Sequence, residues 1–425
     1  MIKRELLKNF VKLFSVDLLL GGIGFLLLPI YLNLMTPSEF GFYSYIISII
    51  GALAYLFSMG QYATLNRFYH VNEYKKNEII ETINLIILSC FILFLFIFIA
   101  FKHYIIQFAF SQKMSAPVYY LIIVLGLLAA LRLILRAYFY QEKKIKIAQY
   151  ENLFYFISVH IISILMLLFI SNSKVELRLI ATAVAGTLTI LLFYKTFLFY
   201  RNILLRNSSK NLYLRGTRNG LPMALGSLIN YFIAFGDRFV IEKLLTNSSL
   251  GIYSFAMVFI SLNLMIFNSV QNAWLPYFFA EKNMMISLKR IYKFIVLFLF
   301  LTPVITISIY IVIHVIANNF IDHSYILSLD FLWILMLASF LQVAGMFIAG
   351  FYQIFEKNHL VVPINVAVAF GNIALNYILI PQYGLRGAAI ATFLVSLLLF
   401  ILHFSIVHYF IKTIGSSGEY HTSKK

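Results

Sequence analysis

The chain has 425 residues, of which 62% are hydrophobic and 12% are charged, and its formal net charge is +17. Apolar segments long enough to cross a bilayer follow one another along the sequence, which is typical of a polytopic membrane protein. Almost no polar stretch is long enough to fold by itself, which excludes a soluble enzyme domain or a nucleic-acid-binding domain. Cys90 is the single cysteine, so the sequence predicts neither a disulfide nor a cysteine-based metal site.

The predicted elements are transmembrane helices, each with about 20 apolar residues. We count about twelve, at residues 10–34, 40–62, 79–101, 117–140, 147–170, 176–200, 217–245, 250–280, 291–317, 325–353, 359–381 and 386–411. The sequence therefore predicts an all-α membrane protein.

The basic residues of the connecting loops predict how these helices are oriented. If the N-terminus is cytoplasmic, Lys and Arg favour the inside segments by about four to one. The largest group lies between the sixth and seventh spans: Lys195, Arg201, Arg206, Lys210, Arg215 and Arg218. Both termini are therefore expected in the cytoplasm. The contact of these loops with anionic membrane lipids explains the net charge, and no nucleic-acid partner is expected.

The sequence repeats itself at an offset of 210 residues, so that Gly41 falls on Gly251. The matching segments are 39–49 with 249–259, and 179–184 with 389–394. Each repeat holds six predicted spans, an even number, so both repeats enter the membrane from the same side. We predict two parallel six-helix lobes, residues 1–205 and 206–425, with a cleft between them. This arrangement suits a transporter that works by alternating access.

Three stretches resemble a known family. They are LLPIYLNLMTPSEFGFYSYIISIIGAL (27–53), GDRFVIEKLLTNSSLGIYSFAM (236–257) and GNIALNYILIPQYGLRGAAIATFL (371–394). They are similar to bacterial polysaccharide flippases of the Wzx type, in the multidrug/oligosaccharidyl-lipid/polysaccharide (MOP) exporter superfamily. The resemblance implies a fold like that of the MATE transporters of this superfamily. It also implies a multi-pass protein of the bacterial inner membrane.

The resemblance also implies a function. Such proteins translocate undecaprenyl-diphosphate-linked oligosaccharide repeat units from the cytoplasmic to the periplasmic leaflet, for O-antigen (lipopolysaccharide) or capsule biosynthesis. A partner implied beside the lipid-linked glycan is the polysaccharide polymerase machinery. No cofactor and no enzymatic activity are implied.

Charged residues within the first predicted spans are candidate site residues, since a charge in hydrocarbon costs at least about 2.5–3.5 kcal/mol. Asp17, in the first span, and Arg132, in the fourth, are expected at similar depth, and Arg136 lies one turn from Arg132 on the same helix face. We expect Arg132 and Arg136 to bind the diphosphate, because a guanidinium group binds phosphate oxygens in pairs. Alternatively, Arg132 forms a structural ion pair with Asp17, and the side chain of Arg136 extends to the membrane–water interface.

A second group of charges lies near the outer end of the seventh span. Arg238 and Glu242 are four residues apart, so they can pair on the helix surface. We expect Arg238 to receive the diphosphate, or else to hold the lobes together through a charge pair. Asp17, Asp237 and Glu242 are candidate carboxylates for coupling to H⁺ or Na⁺, since burial shifts a carboxyl group toward protonation.

Two other functions stay open at this point. A MATE-like cation-coupled antiporter for small molecules predicts more acidic residues in the cleft and fewer arginines. A membrane glycosyltransferase or O-unit polymerase typically carries a long outer loop with catalytic polar residues. The longest outer loop predicted here, residues 101–116, contains no acidic residue. The sequence also shows no metal-ligand spacing and no phosphate-binding loop.

Overall fold

The computed structural model describes residues 19–70, 73–111, 114–194, 210–280, 323–349 and 360–417, with the single positions 300, 304, 307, 308, 311, 315 and 352. Its helices are α1 (Leu19–Leu34), α2 (Pro37–Ser58), α3 (Gln61–Phe68), α4 (Lys76–Ala100), α5 (Lys102–Ala109), α6 (Ala116–Gln141), α7 (Ile145–Phe169), α8 (Lys174–Tyr194), α9 (Lys210–Leu244), α10 (Asn247–Ala280), α11 (Leu329–Ala349), α12 (Val361–Tyr383) and α13 (Leu385–Ser417).

The all-α architecture is confirmed. In the described part of the chain, nine helices are long and apolar enough to cross a membrane, and their bounds follow the predicted spans closely. Large apolar side chains such as Leu93 and Phe96 on α4 are exposed, as expected for helices that face lipid. The predicted span 291–317 lies almost entirely outside the described residues, as does the first part of span 10–34.

Contacts between helix ends define two sides of the first part of the chain. On one side, Arg67 at the end of α3 contacts Asn219 in the first part of α9. On the same side, Lys76 at the start of α4 contacts Glu142 just after α6. We call this the basic side. On the other, the far side, Ser111 after α5 meets Glu242 at the end of α9. The basic side is the one for which the sequence predicts a cytoplasmic location.

The chain divides into two compact units, residues 1–251 and 252–425. In the first unit α6 packs along α2, α7 packs on α8, and α9 packs on α2, α3 and α4. Because α9 packs on helices of the first repeat, compactness divides the chain after α9. The predicted boundary at 205/206 concerns the duplication and stays a prediction.

Apolar side chains, chiefly of α3, α4 and α6 with one residue each from α7 and α9, form a core near the basic side of the first unit. Its buried members are Leu65, Phe68, Tyr69, Ile79, Ile80, Ile83, Ile87, Ile134, Leu135, Tyr138, Phe139, Ala148 and Leu212. This core fixes the ends of α3 and α6, from which the charged side chains described below project.

A break that the sequence analysis missed separates α2 from α3. Met59 and Gly60 adopt left-handed backbone conformations, with φ of 48° and 64°. The predicted span 40–62 is therefore two helices. Gly60 is required here for a second reason, since a Cβ on it would collide with the backbone of Gly220 and Ala224 on α9. The break thus allows α3 to pack closely on α9.

The far side of the first unit contains a close approach of two helix starts. Thr36 caps α2 through a reciprocal pair of hydrogen bonds with Glu39, which fixes where this helix begins. A Cβ on Gly41 would collide with the backbone of Asn247 and Gly251 at the start of α10. Gly41 and Gly251 are the residues that the sequence repeat pairs, so equivalent positions of the two repeats touch each other.

The second unit packs its described helices through aromatic and neutral polar contacts. α11 packs along α13, and α12 packs on α13. The ring of Tyr253 stacks on that of Phe331 with centroids 6.1 Å apart, and its hydroxyl lies 3.4 Å from Thr392 Oγ1. Gln342 on α11 donates to Ser396 on α13 at 3.2 Å. These contacts hold the unit together without buried charge among its described residues.

Candidate functional site

Two arginines of α6 share one carboxylate of α7. Arg132 Nε lies 2.7 Å from Glu151 Oε1, and Arg136 Nε lies 3.0 Å from Glu151 Oε2. Arg136 Nη2 also donates to Asn152 Oδ1 at 2.8 Å. Glu151 is completely buried. We call Arg132, Arg136 and Glu151 the Arg–Glu–Arg cluster, which carries one positive charge in excess.

The helix geometry explains why this cluster forms. Arg132 and Arg136 are one turn apart on α6, so both side chains leave the same face. The ring of Tyr155, one turn from Glu151 on α7, lies under the guanidinium group of Arg132, with 3.2 Å between the guanidinium carbon and the ring centroid. The carboxylate, the ring and the facing helix therefore fix Arg132 in one orientation.

The cluster keeps some capacity to bind an anion. Nη2 of Arg132 is buried and has no hydrogen-bond partner in the described part of the protein. The side chain of Arg136 is 36% exposed. Both oxygens of Glu151 already accept from an arginine. The Nη2 group of Arg132 can therefore donate to a further acceptor, such as a phosphate oxygen.

The cluster lies within the membrane-spanning part of the helices, nearer to the basic side. Arg132 is nine residues from the end of α6, which corresponds to roughly 14 Å of helix, and Glu151 is six residues from the start of α7, roughly 9 Å. The sequence analysis placed Arg132 and Arg136 on one face at about this depth. The structure brings these two residues together.

The partner of Arg132 differs from the one considered from the sequence. Its ion-pair partner among the described residues is Glu151, whereas Asp17 lies outside the described residues. Glu151 was missed, although a carboxylate inside an apolar span was the available signal. The pair of Arg132 with Asp17 stays a prediction, and depth alone does not say which helices are neighbours.

Near the far side, the end of α9 carries a second charged group. Glu242 Oε1 accepts from the backbone N–H of Ser111 at 2.6 Å and from its hydroxyl at 2.7 Å. The guanidinium carbon of Arg238 lies 4.7 Å from the ring centroid of Phe235. Arg238 Nε is buried without a hydrogen-bond partner in the described chain. Asp237 is buried too, and it accepts from the backbone N–H of Arg238 at 2.8 Å.

The predicted pair between Arg238 and Glu242 is wrong. No ion pair within 4.0 Å joins these two described side chains, and the basic group nearest the Glu242 carboxylate is Lys243, at 4.0 Å. The reason is the two hydrogen bonds from Ser111, which hold Glu242 against the loop after α5. The i,i+4 spacing permits a pair on an isolated helix but does not choose it over a neighbouring loop.

A third buried arginine was also missed. Arg178, on α8 near the far side, is 6% exposed, and its guanidinium carbon lies 3.9 Å from the ring centroid of Tyr31 and 3.8 Å from that of Tyr43. Its Nε has no hydrogen-bond partner within the described residues. Arg178 lies within two turns of the start of its helix, where basic side chains are common, so its burial has no signal in the sequence.

The chain is similar to known proteins in both sequence and structure. The family described as "Polysaccharide biosynthesis protein" matches residues 6–282, more than half of the chain. A search of the curated proteins finds no match.

Solved structures share the fold across almost the whole chain. An inward-facing multidrug resistance MATE family transporter of the MOP superfamily is 15% identical with a TM-score of 0.68, covering 94% of this chain and 95% of that one. An outward-facing multidrug resistance MATE family transporter of the MOP superfamily is 14% identical with a TM-score of 0.56, covering 97% of this chain and 94% of that one. A MOP superfamily transporter from Pyrococcus furiosus, described as having a binding pocket of reverse polarity, is 15% identical with a TM-score of 0.59, covering 96% and 97%. The fold is therefore that of the MATE and MOP transporters.

Proposed function

Because the chain belongs to the polysaccharide biosynthesis protein family and has the fold of the MOP-superfamily transporters, we propose that it is a lipid-linked oligosaccharide flippase. It moves an undecaprenyl-diphosphate-linked repeat unit from the cytoplasmic to the periplasmic leaflet of the bacterial inner membrane. The product supplies O-antigen or capsule polymerisation. Both termini are cytoplasmic, the basic side faces the cytoplasm, and the protein is not an enzyme.

The observation that carries this proposal is a set of buried arginine N–H groups without acceptors. Arg132 Nη2, Arg178 Nε and Arg238 Nε are all buried and lack a hydrogen-bond partner among the described residues. A buried donor without an acceptor costs about 1–3 kcal/mol, and more when it is charged. A fold that keeps three such donors is suited to an anionic substrate that supplies the acceptors, as a diphosphate does.

The arrangement of these arginines suggests an order of events. The Arg–Glu–Arg cluster lies nearer the basic side, and Arg238 lies near the far side. A diphosphate that arrives from the cytoplasm meets Arg136 and Arg132 first, and Arg238 receives it on the way out. Glu151 holds the two α6 arginines in place before the substrate arrives, so less ordering is needed on binding.

The carboxylates near the far side are the candidates for ion coupling within this proposal. Asp237 and Glu242 are both buried. Of these, Glu242 is engaged by Ser111 through two hydrogen bonds. A proton or Na⁺ that binds there competes with these hydrogen bonds, which would couple ion binding to the position of the loop after α5. A transport rate that is indifferent to both the pH gradient and Na⁺ contradicts this coupling.

A second candidate function is a cation-coupled antiporter for small molecules. The observation in its favour is the fold, which is shared with transporters named for multidrug resistance. The buried carboxylates of α9 would then bind the coupling cation. The excess of positive charge at the Arg–Glu–Arg cluster disfavours a cationic substrate, because like charges repel.

The test of the proposed function is genetic. Deletion of the gene in its host should abolish the surface polysaccharide and cause a complete undecaprenyl-linked repeat unit to accumulate. Complementation with Arg132→Gln should fail, whereas Arg386→Gln, which removes an exposed arginine of the second unit, should restore the polysaccharide. An unchanged surface polysaccharide after deletion rejects the flippase and leaves drug efflux to be tested. Single units that reach the surface without chain extension would indicate a polymerase.

A further inference from the structure

A pocket on the basic side of the first unit is not part of the charged groups described above. It has a volume of about 470 Å³ and lies between the end of α3 and the first half of α9. Its lining consists of Arg67, Phe68, Arg215, Arg218, Asn219, Pro222 and Met223. Three of these seven residues are arginines from two different helices, so the pocket concentrates positive charge.

The charges of the pocket are only partly neutralised. Arg215 pairs with Glu73 and also donates to the hydroxyl of Tyr74 at 2.8 Å. The Arg215 guanidinium beside Glu73 holds the pKa of that carboxyl below its usual range, so Glu73 stays ionised. Arg67 donates to the amide oxygen of Asn219 at 3.0 Å, and it has no ion-pair partner among the residues that the structure describes.

Arg218 is the third arginine, and it makes no ion pair with the described residues. Counting the described residues, one carboxylate faces three guanidinium groups, an excess of two positive charges. Such an excess in a concave site attracts an anion with several oxygen acceptors.

The arginines are supported by an aromatic floor. Phe68 is 4% exposed, and the guanidinium carbons of Arg67 and Arg215 lie 5.5 Å and 5.2 Å from its ring centroid. Cation–π contact on this ring holds both side chains near the pocket rather than in free solution. This preorganisation distinguishes the pocket from ordinary basic loop residues, which reach independently into the solvent.

Apolar surface adjoins the pocket on α9. Pro222 and Met223 line it, and the neighbouring side chains of Leu221, Met223 and Leu225 are 43%, 46% and 52% exposed. Exposed apolar side chains on a membrane-spanning helix provide a surface on which a hydrocarbon chain can pack. The pocket therefore lies where a charged head group and a hydrocarbon chain can be bound at the same time.

We propose that this pocket binds the phosphate group of a membrane-anchored lipid on the cytoplasmic face. Arg67 and Arg218 contact the phosphate oxygens, Arg215 completes the positive wall, and the lipid chain lies along the apolar face of α9. The phosphate can come from the diphosphate of the lipid-linked glycan or from an anionic phospholipid. The first source deepens the proposed function and rests on it, and the second does not.

The experiment measures lipid binding and not transport. The purified full-length protein in detergent is titrated with undecaprenyl diphosphate and, separately, with phosphatidylglycerol, and binding is read by native mass spectrometry. The variant Arg67→Gln/Arg218→Gln should weaken binding of one or both lipids by about tenfold or more, since charge-assisted hydrogen bonds to phosphate are lost. Loss for undecaprenyl diphosphate alone identifies a capture site for cargo, and loss for phosphatidylglycerol alone identifies a phospholipid site.

Lys146→Gln is the matched control, because Lys146 is an exposed cation near the basic-side start of α7 and outside the pocket. It should leave both affinities within about twofold of the wild type. Arg218→Gln alone provides a variant that disturbs no described contact, should the double variant unfold. Wild-type affinity of the pocket variants for both lipids overturns the proposal. The flippase proposal is unaffected by that outcome, since it is tested by the accumulated repeat unit.

Discussion

The two compact units bury different kinds of polar side chain. In the described part of the first unit the buried charged residues are Arg132, Glu151, Arg178, Asp237, Arg238 and Glu242. In the described part of the second unit the buried polar residues include no Asp, Glu, Lys or Arg. They are Ser254, Ser328, Ser339, Asn372, Asn376, Thr392, Ser396 and His403. Among the described residues, buried charge is thus concentrated in the first compact unit. Three of the six charged residues, Asp237, Arg238 and Glu242, belong to the second repeat predicted from the sequence.

This difference indicates which unit is specialised. Neutral polar groups of the second unit form hydrogen bonds between helices, as when Gln342 on α11 donates to Ser396 on α13 at 3.2 Å. Such contacts hold helices together within a membrane at modest energetic cost. Buried charges are more expensive and are retained where they have a function. The first unit is therefore expected to carry most of the substrate recognition.

The largest expected difference in the free energy of unfolding is between two variants, each of which breaks an ion pair in one of the two units. Glu151→Gln removes the negative charge shared by two arginines of the first unit and one of its two acceptor oxygens. It should lower the free energy of unfolding by about 3–5 kcal/mol, because buried guanidinium charge is left uncompensated. Asp330→Asn breaks the pair of Asp330 with Arg386 in the second unit, whose side chains are 54% and 62% exposed. That change should cost about 0–1 kcal/mol.

Thermal unfolding of the purified variants in detergent checks this comparison, with the transition midpoints measured side by side. Equal shifts for Glu151→Gln and Asp330→Asn would mean that the carboxylate of Glu151 is not buried in the way described. The conclusion that charge is concentrated in the first unit would then fail.

A smaller effect is expected where helices touch without charge. Gly41→Val places a branched side chain against the backbone of Asn247 and Gly251, and it should lower the free energy of unfolding by about 1–3 kcal/mol through overpacking. Gly371→Ala, in α12 of the second unit, meets nothing within 4 Å. It should instead stabilise by up to about 1 kcal/mol, since Ala is the better helix former. The two substitutions should therefore shift the midpoint of thermal unfolding in opposite directions relative to the wild type.

The same contact has a consequence for transport. If the start of α2 and the start of α10 must separate during the cycle, Gly41→Val should change the transport rate by more than its stability loss explains. A variant that is destabilised but transports at the wild-type rate per folded molecule would show that this contact is only structural.

The smallest effect concerns surface charge of the first unit. Glu142, just beyond α6, accepts a hydrogen bond from the hydroxyl of Tyr69 and pairs with Lys76 at 2.9 Å. These contacts lower the pKa of Glu142 to about 2, with the Tyr69 hydrogen bond as the main cause. Its contribution to stability is therefore present above the ordinary carboxyl pKa and is lost as the pH falls toward 2.

Glu142→Gln should accordingly cost about 1 kcal/mol at neutral pH, after solvent screening of the half-exposed Lys76. The difference between wild type and variant should shrink when unfolding is measured at progressively lower pH below about 4.5. A difference that stays constant over that range would show that the ionised form of Glu142 contributes nothing.

The sequence predicts the helices well because the bilayer imposes a length of about 20 apolar residues on each. It also predicts the shared face of Arg132 and Arg136, since helix periodicity alone determines it. It does not predict Glu151 as their partner or Ser111 as the partner of Glu242, because both contacts join separate elements. The break at Met59 and Gly60 was missed as well, since hydropathy continues across it.

The most direct test of the account is lipid transfer by the purified protein in vesicles. A fluorescent polyprenyl-diphosphate oligosaccharide is placed in the membrane, and its movement between leaflets is followed with a quencher outside the vesicles. We predict that the wild type accelerates transfer, that Arg132→Gln reduces the rate at least about tenfold, and that Arg386→Gln leaves it unchanged. Transfer by Arg132→Gln at the wild-type rate would contradict the claim that the buried arginines of the first unit recognise the diphosphate.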